Sequence, residues 1–128
     1  MGEGHGVSSQ TRVTPVSARQ VARVMAGLGT GSRVLILARL REGACSVGEL
    51  CEAVGMAQPA VSQHLRILRD LNLVVGVRTG RLTMYALYDP HVAVLIDEAL
   101  RHVEHLQARA PEVPAFEELD ERTMTGVR

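Results

Sequence analysis

Near the C-terminal end of this chain stand Asp89 and His91, followed by His102 and His105. A carboxylate and three imidazoles are donors that suit a first-row transition ion. If residues 89 to 107 are helical, His91, His102 and His105 fall within about 60° of one another on one face. They share a face but not a neighbourhood. The helical rise of about 1.5 Å per residue separates His91 from His102 by roughly 16 Å, whereas a shared ion needs bonds of roughly 2 Å. A second copy of the helix, antiparallel about a two-fold axis near Asp97, would set Asp89 and His91 of one subunit opposite His102 and His105 of the other. Two equivalent four-ligand sites would then bridge a homodimer. The competing reading is a solvated polar stripe, with Asp89 serving as a helix cap whose carboxylate is taken by backbone amides. Three of only five histidines lie on this face, and on spacing alone both readings stand.

The helix that must carry these groups has its own signals. Asp89 is a natural N-cap, Pro90 suits the first helical position, and Val92, Leu95, Ile96, Ala99, Val103 and Leu106 supply an apolar side for a partner. Beyond Gln107 the chain turns acidic and contains Pro111 and Pro114, so residues 108–128 read as a loose acidic tail. Residues 1–15, rich in Gly, Ser and Thr without apolar periodicity, read as a flexible arm. The expected folded domain is 16–107.

Within it, Ser17 is expected to cap a helix through Leu28 bearing Val21, Val24, Met25 and Leu28, with Gly29 to Gly31 as the break. A largely buried helix follows over about Ser32 to Glu42, stopped at Gly43. Ser46-Val47-Gly48-Glu49 has the form of a capping box for a helix reaching Val54, which Gly55 ends. Pro59 marks the start of another helix, whose stripe Val61, Leu65, Leu68 and Leu71 faces the core. Leu73 to Arg78 and Leu82 to Leu87 are strand-like, and Thr79-Gly80 links them as a hairpin. The expected fold is mainly α with a small β-hairpin, a winged helix-turn-helix that is homodimeric through its terminal helices.

If Val61, Leu65 and Leu68 point inward, Gln58, Ser62, Gln63, Arg66 and Arg69 point out. Gln63 suits adenine, Arg66 suits guanine or phosphate, and Ser62 suits either kind of contact. Arg78 and Arg81 flank the hairpin turn, where they can reach phosphates. A solvated helix face would look similar, but the order of elements favours double-stranded DNA. His64, at the edge of the core face, is expected to be structural. The formal net charge of zero hides an uneven distribution: residues 1–88 hold ten Arg against five acids, and residues 89–128 hold four Arg against nine. Every basic residue is Arg, which suits bidentate phosphate and guanine contacts but equally reflects genome composition.

At 128 residues the chain has room for one modest core and no separate catalytic domain. No nucleophile, base and oxyanion-hole arrangement can be picked out, so an enzyme is the least expected class. The N-terminus lacks a basic segment followed by an apolar stretch, and no apolar run approaches a membrane span, so no membrane partner and a cytoplasmic location are expected. Cys45 and Cys51 match neither a zinc ribbon nor a redox pair and are expected to be buried thiols.

Val47-Gly48-Glu49-Leu50, Ala60-Val61-Ser62-Gln63-His64-Leu65-Arg66-Ile67-Leu68-Arg69, Gly80-Arg81 and Tyr85-Ala86-Leu87 together resemble the DNA-binding core of the ArsR/SmtB winged-helix repressors, over approximately residues 16 to 107. The resemblance implies a homodimer that binds a two-fold symmetric operator and releases it when an inducer, often a metal ion, is bound. Asp89, His91, His102 and His105 resemble the C-terminal-helix metal site of the family's zinc, cobalt and nickel sensors. Gly4-His5-Gly6-Val7, Leu73-Val74-Val75-Gly76 and Glu104-His105-Leu106 are similar to a nickel/cobalt sensor, which implies His5 as a possible extra ligand from the arm. Two departures stand out: Glu3-Gly4 displaces the arm histidine to His5, and Gln107 replaces a further histidine. The family's cysteine metal site is absent, because its positions correspond to Ser46 and Gly48 and Cys45 is out of register by one. The expected inducer is therefore Ni or Co, with Zn as the alternative, bound at the dimer interface. Two other readings compete. One is a winged-helix repressor with a non-metal or redox inducer acting through Cys45 and Cys51; the other is a metal-binding dimer that does not use DNA.

Overall fold

The computed structural model describes residues 12–109. Five helices and one hairpin follow in the order α1 Pro15–Gly27, α2 Gly31–Arg41, α3 Val47–Val54, α4 Gln58–Asp70, β1 Val74–Thr79, β2 Leu82–Leu87 and α5 Pro90–Arg109. The chain divides into two compact units after Ala93. No single helix among the described residues is long and apolar enough to cross a membrane.

The first helix begins earlier than its spacing predicted. Thr14, not Ser17, is the N-cap; Ser17 sits at the third helical position and returns the bond, its Oγ accepting from the Thr14 N–H at 2.9 Å. A serine thus fills the place usually taken by Glu or Gln in a capping box. Likewise Thr30 caps α2 by accepting from the Arg33 N–H at 3.1 Å, so the helix starts at Gly31, one residue ahead of the predicted Ser32.

The core of the first unit gathers Ile36, Leu37 and Leu40 of α2, Leu50 of α3, Val61, Leu65 and Leu68 of α4, and Leu73 and Val74 at the start of the hairpin, all buried. These are the inward stripes of successive amphipathic helices, and their burial drives the packing. The glycine at the end of α1 joins them: a Cβ on Gly27 would lie 2.5 Å from Leu73 Cδ1 and 3.0 Å from Leu71 Cδ1. A larger residue would have to displace these leucine tips, so glycine lets α1 end against that corner without repacking.

Helix α4 ends in a Schellman motif that aims the hairpin. Asn72 takes the left-handed conformation at φ 59°, its N–H donates to Arg69 O at 3.0 Å, and the Leu73 N–H reaches back to Leu68 O at 2.9 Å. Buried Leu68 and Leu73 supply the apolar contact that accompanies this turn. The hairpin pairs Val74 with Leu87 through Thr79 with Leu82 in antiparallel register, and Gly80 turns it at φ 65°. Cys45 and Tyr85 exchange backbone hydrogen bonds of 2.9 and 2.7 Å, which fasten the start of the α3 segment to β2. The result is a winged helix-turn-helix.

Apolar side chains remain outside these cores. Val16, Val21 and Met25 of α1 are exposed, as are Val94, Leu100, Val103 and Leu106 of α5, whose Val92 and Ile96 are buried.

Candidate functional site

The helix-turn-helix is set by local chemistry. Ser46 Oγ accepts from the Glu49 N–H at 3.2 Å, and Glu49 Oε1 accepts from the Ser46 N–H at 2.9 Å, the reciprocal box read from the sequence. Gly55 closes α3 in the left-handed region at φ 69°. Ala57 then caps α4 without a side-chain bond, and Pro59 occupies its first turn, where a missing N–H costs nothing.

With Val61, Leu65 and Leu68 buried, α4 leaves Gln58, Gln63, Arg66 and Arg69 exposed and Ser62 half-buried. The wing carries Arg78 and Arg81, both exposed, and Arg78 Nε donates to Gly80 O at 3.2 Å across the turn. Between α4 and β2 lies a cleft of about 430 Å³ lined by Ser62, Leu65, Arg66, Arg69, Asp70 and Tyr85. Two guanidiniums, a hydroxyl and a phenol around one groove form a donor-rich surface for phosphate oxygens.

Tyr85 entered the sequence analysis only within the family resemblance and not among the expected DNA contacts. Its signal is Gly76, its cross-strand partner: a Cβ there would lie 3.1 Å from the Tyr85 ring. An isolated glycine in a strand often marks such a close approach. His64 is half-buried, and its Nδ1 lies 3.5 Å from Arg33 Nη1, a neighbour that no local pattern pointed to.

The second constellation lies along α5, which is helical without a break from Pro90 to Arg109. Asp89 stands immediately before it. Its Oδ1 accepts from the backbone N–H of His91 at 2.9 Å and of Val92 at 3.3 Å, and lies 3.5 Å from His91 Nδ1. The capping role is real and uses one oxygen; among the described residues Oδ2 has no hydrogen-bond partner. The His91 side chain is 94% exposed, and His102 and His105 near the far end of the helix are exposed as well. No three His, Cys, Asp or Glu side chains among the described residues gather closely enough to hold a metal ion within one chain. His5 lies outside the described residues, as do the arm through residue 11 and the tail from residue 110.

Neither cysteine is in a disulfide; Cys45 is buried and Cys51 half-buried. Desolvation pushes the Cys45 thiol above its ordinary range, opposed by Arg39 and assisted by Glu49 and Glu42. A thiol kept protonated by burial is a poor nucleophile.

A tri-helical core, a capped turn into an arginine-bearing helix and a two-stranded wing define a DNA-binding protein of the winged-helix class. Residues 30–75 match the family model of the bacterial regulatory proteins of the arsR family. The chain is 51% identical over 107 residues to the HTH-type transcriptional regulator NmtR of Mycobacterium tuberculosis (strain ATCC 25618 / H37Rv), an alignment covering 80% of this chain and 89% of that protein. The solution structure of apo-NmtR superposes with a TM-score of 0.63 at 52% identity, covering 75% of this chain and 81% of that one. A homodimeric winged helix-turn-helix DNA-binding domain from Mycobacterium bovis gives a TM-score of 0.67 at 28% identity, covering 78% of this chain and 92% of that one. The chain belongs to the arsR family. It is a transcriptional regulator and not an enzyme.

Proposed function

We propose that this protein is a metal-responsive repressor that binds a two-fold symmetric operator as a homodimer and is released by Ni or Co, with Zn as the alternative inducer. Residues 16–107 form the DNA-binding and dimerisation domain, 1–15 the arm and 108–128 the acidic tail. Gln58, Ser62, Gln63, Arg66 and Arg69 read or grip the operator, and Arg78 and Arg81 contact its phosphates from the wing.

The observation that carries the inducer reading is the division of ligands along α5. One unbroken helix bears Asp89 and His91 at its start and His102 and His105 near its end, and no metal-holding group forms among the described residues of a single chain. A second subunit completes the set: Asp89 and His91 with His102 and His105 of the partner subunit. The donors fit, since Asp89 keeps one carboxylate oxygen free of its capping role and the imidazoles are exposed. Carboxylate and imidazole without thiolate suit Zn, Co or Ni; recruiting His5, the N-terminal amine or water toward six ligands would favour Ni or Co. The exposed apolar residues Leu100, Val103 and Leu106, which share one face of α5, support the dimer, because an uncovered stripe on a helix calls for a partner.

An ion bound by both subunits would join their α5 helices, and release of DNA then follows by linkage. The inducer must bind the DNA-free dimer more tightly than the DNA-bound dimer, and a coupling of about 3 kcal/mol corresponds to operator binding weakened about 150-fold. The test is fluorescence anisotropy on labelled DNA from upstream of the protein's own gene, with apo protein and then Ni, Co and Zn separately. Tight apo binding weakened by one of these ions is expected; tight binding indifferent to all three would remove metal as the inducer.

A further inference from the structure

The arginine at the start of α2 makes contacts that neither DNA nor metal binding requires. Its Nε donates to Gly27 O at 2.9 Å and its Nη2 to Ala26 O at 3.1 Å, a carbonyl that also accepts from the Gly29 N–H at 3.0 Å, so one side chain reaches two carbonyls at the C-terminal end of α1. Carbonyls of a helix's last turn lack the regular partner four residues on, and a cation there also complements the helix dipole. The remaining arm of the guanidinium points to the recognition helix, where Nη1 lies 3.5 Å from His64 Nδ1. Guanidinium only donates, so this pairing needs Nδ1 as acceptor and places the imidazole proton on Nε2.

His64 is preceded by Gln63 and Ser62 and followed two residues later by Arg66. A side chain anchored on α1 therefore ends in the middle of the DNA-reading segment. Gly27 supplies the second anchor: it is buried, and a Cβ there would lie 2.5 Å from Leu73 Cδ1 and 3.0 Å from Leu71 Cδ1, so α1 ends closely packed on the residues that follow α4. One contact would leave α1 free to pivot on α4; two contacts, at the middle and beyond the end of α4, fix the angle between them. Helix α1 also exposes Val16, Val21 and Met25.

We infer that Arg33, acting through His64, is a positioning residue that sets the recognition helix against α1 and so sets the separation of the two recognition helices in a dimer. The inference rests on the dimeric repressor reading. Two helices must meet successive major grooves about 34 Å apart, so a small change of angle within each subunit costs affinity for the whole operator and little for half of it. Lysine cannot replace this side chain, since one ammonium cannot span two carbonyls and an imidazole in the fixed fork of a guanidinium.

The experiment compares wild type, Arg33→Lys, His64→Leu and His64→Asn on two labelled duplexes. One carries the promoter segment upstream of the protein's own gene, and the other is the same segment cut at its dyad. Asparagine offers an acceptor close to the place of Nδ1, whereas leucine offers none. Arg33→Lys and His64→Leu should lose about tenfold or more on the whole operator and less than about twofold on the half, with His64→Asn recovering most of the loss. An equal loss on both duplexes, or none on either, would overturn the inference. Should Arg33→Lys fail to fold, the two His64 variants decide the matter. A wild-type protein with no preference for the whole operator would instead overturn the dimeric repressor reading, and this inference with it.

Discussion

Asp89 caps α5 with a single oxygen, Oδ1, which accepts from the His91 N–H at 2.9 Å, while the His91 ring stands 94% exposed beside it. Capping and ligation are therefore compatible at one residue. The same bond that starts the helix orders the carboxylate, and an ordered ligand loses less freedom on binding an ion.

Replacing a proposed ligand at the other end of α5 should separate DNA binding from the metal response. His102 is exposed on α5. His102→Ala is expected to leave apo operator affinity near normal and to abolish the metal response. Titration of operator binding with and without Ni, Co or Zn checks this; an equal loss of apo binding would make His102 a structural residue.

On the DNA side, Arg66 projects from α4 beside the cleft. Arg66→Ala should weaken apo operator binding by about 1–3 kcal/mol. Arg81→Ala at the wing should instead lower affinity for all sequences and reduce the slope of log affinity against log salt by about 1. Binding isotherms at several salt concentrations distinguish base reading from phosphate contact.

Val103 is 48% exposed on α5 although it is apolar. An aspartate there would place an unpaired charge in the proposed subunit interface, which is costly when buried and harmless in water. Val103→Asp should convert the dimer to monomer in sedimentation analysis while helical circular dichroism is largely kept. A dimer unchanged by the substitution would move the interface off this face.

Much of this architecture was legible in the sequence for a physical reason: the strongest signals are local. The Ser46–Glu49 box, the Val61, Leu65 and Leu68 stripe, Gly80 in the hairpin turn and Asp89-Pro90 before α5 each state their role within a few residues. The helix starts were harder where two hydroxyl residues competed, as with Thr14 and Ser17, or where no side chain caps at all, as at Ala57. Arg33 with His64 and Tyr85 over Gly76 were not legible, because their partners are distant in sequence and only packing brings them together. The cross-subunit ligand set remains a proposal drawn from spacing together with the family resemblance, because one chain places its four donors at the two ends of a single helix.

Burial of Cys45 has a measurable sign. Desolvation, the largest influence, raises its pKa above the ordinary 9.0, so the folded state holds the thiol proton more tightly than the unfolded chain. The stability this contributes is present in full below the pKa of the unfolded thiol and is lost as pH rises through the folded value. Native protein should thus lose stability in alkali. At pH 8, Cys45 should react with iodoacetamide far more slowly in the native protein than in urea. Peptide mapping of the alkylated thiols checks this, and fast native modification of Cys45 would revive an inducer that acts on sulfur.

The central claim is that each metal site takes ligands from both subunits, and mixed dimers test it directly. His91→Ala and His102→Ala homodimers each lack a complete site. A heterodimer with one change on each subunit keeps one intact site if ligands come from both chains and none if they come from one. Differently tagged subunits, co-expressed and purified as the heterodimer, are titrated with Co while the ligand-field absorbance is followed. One tightly bound ion per heterodimer, with neither homodimer binding tightly, is the predicted result; a heterodimer that binds no better than its parents would contradict the account.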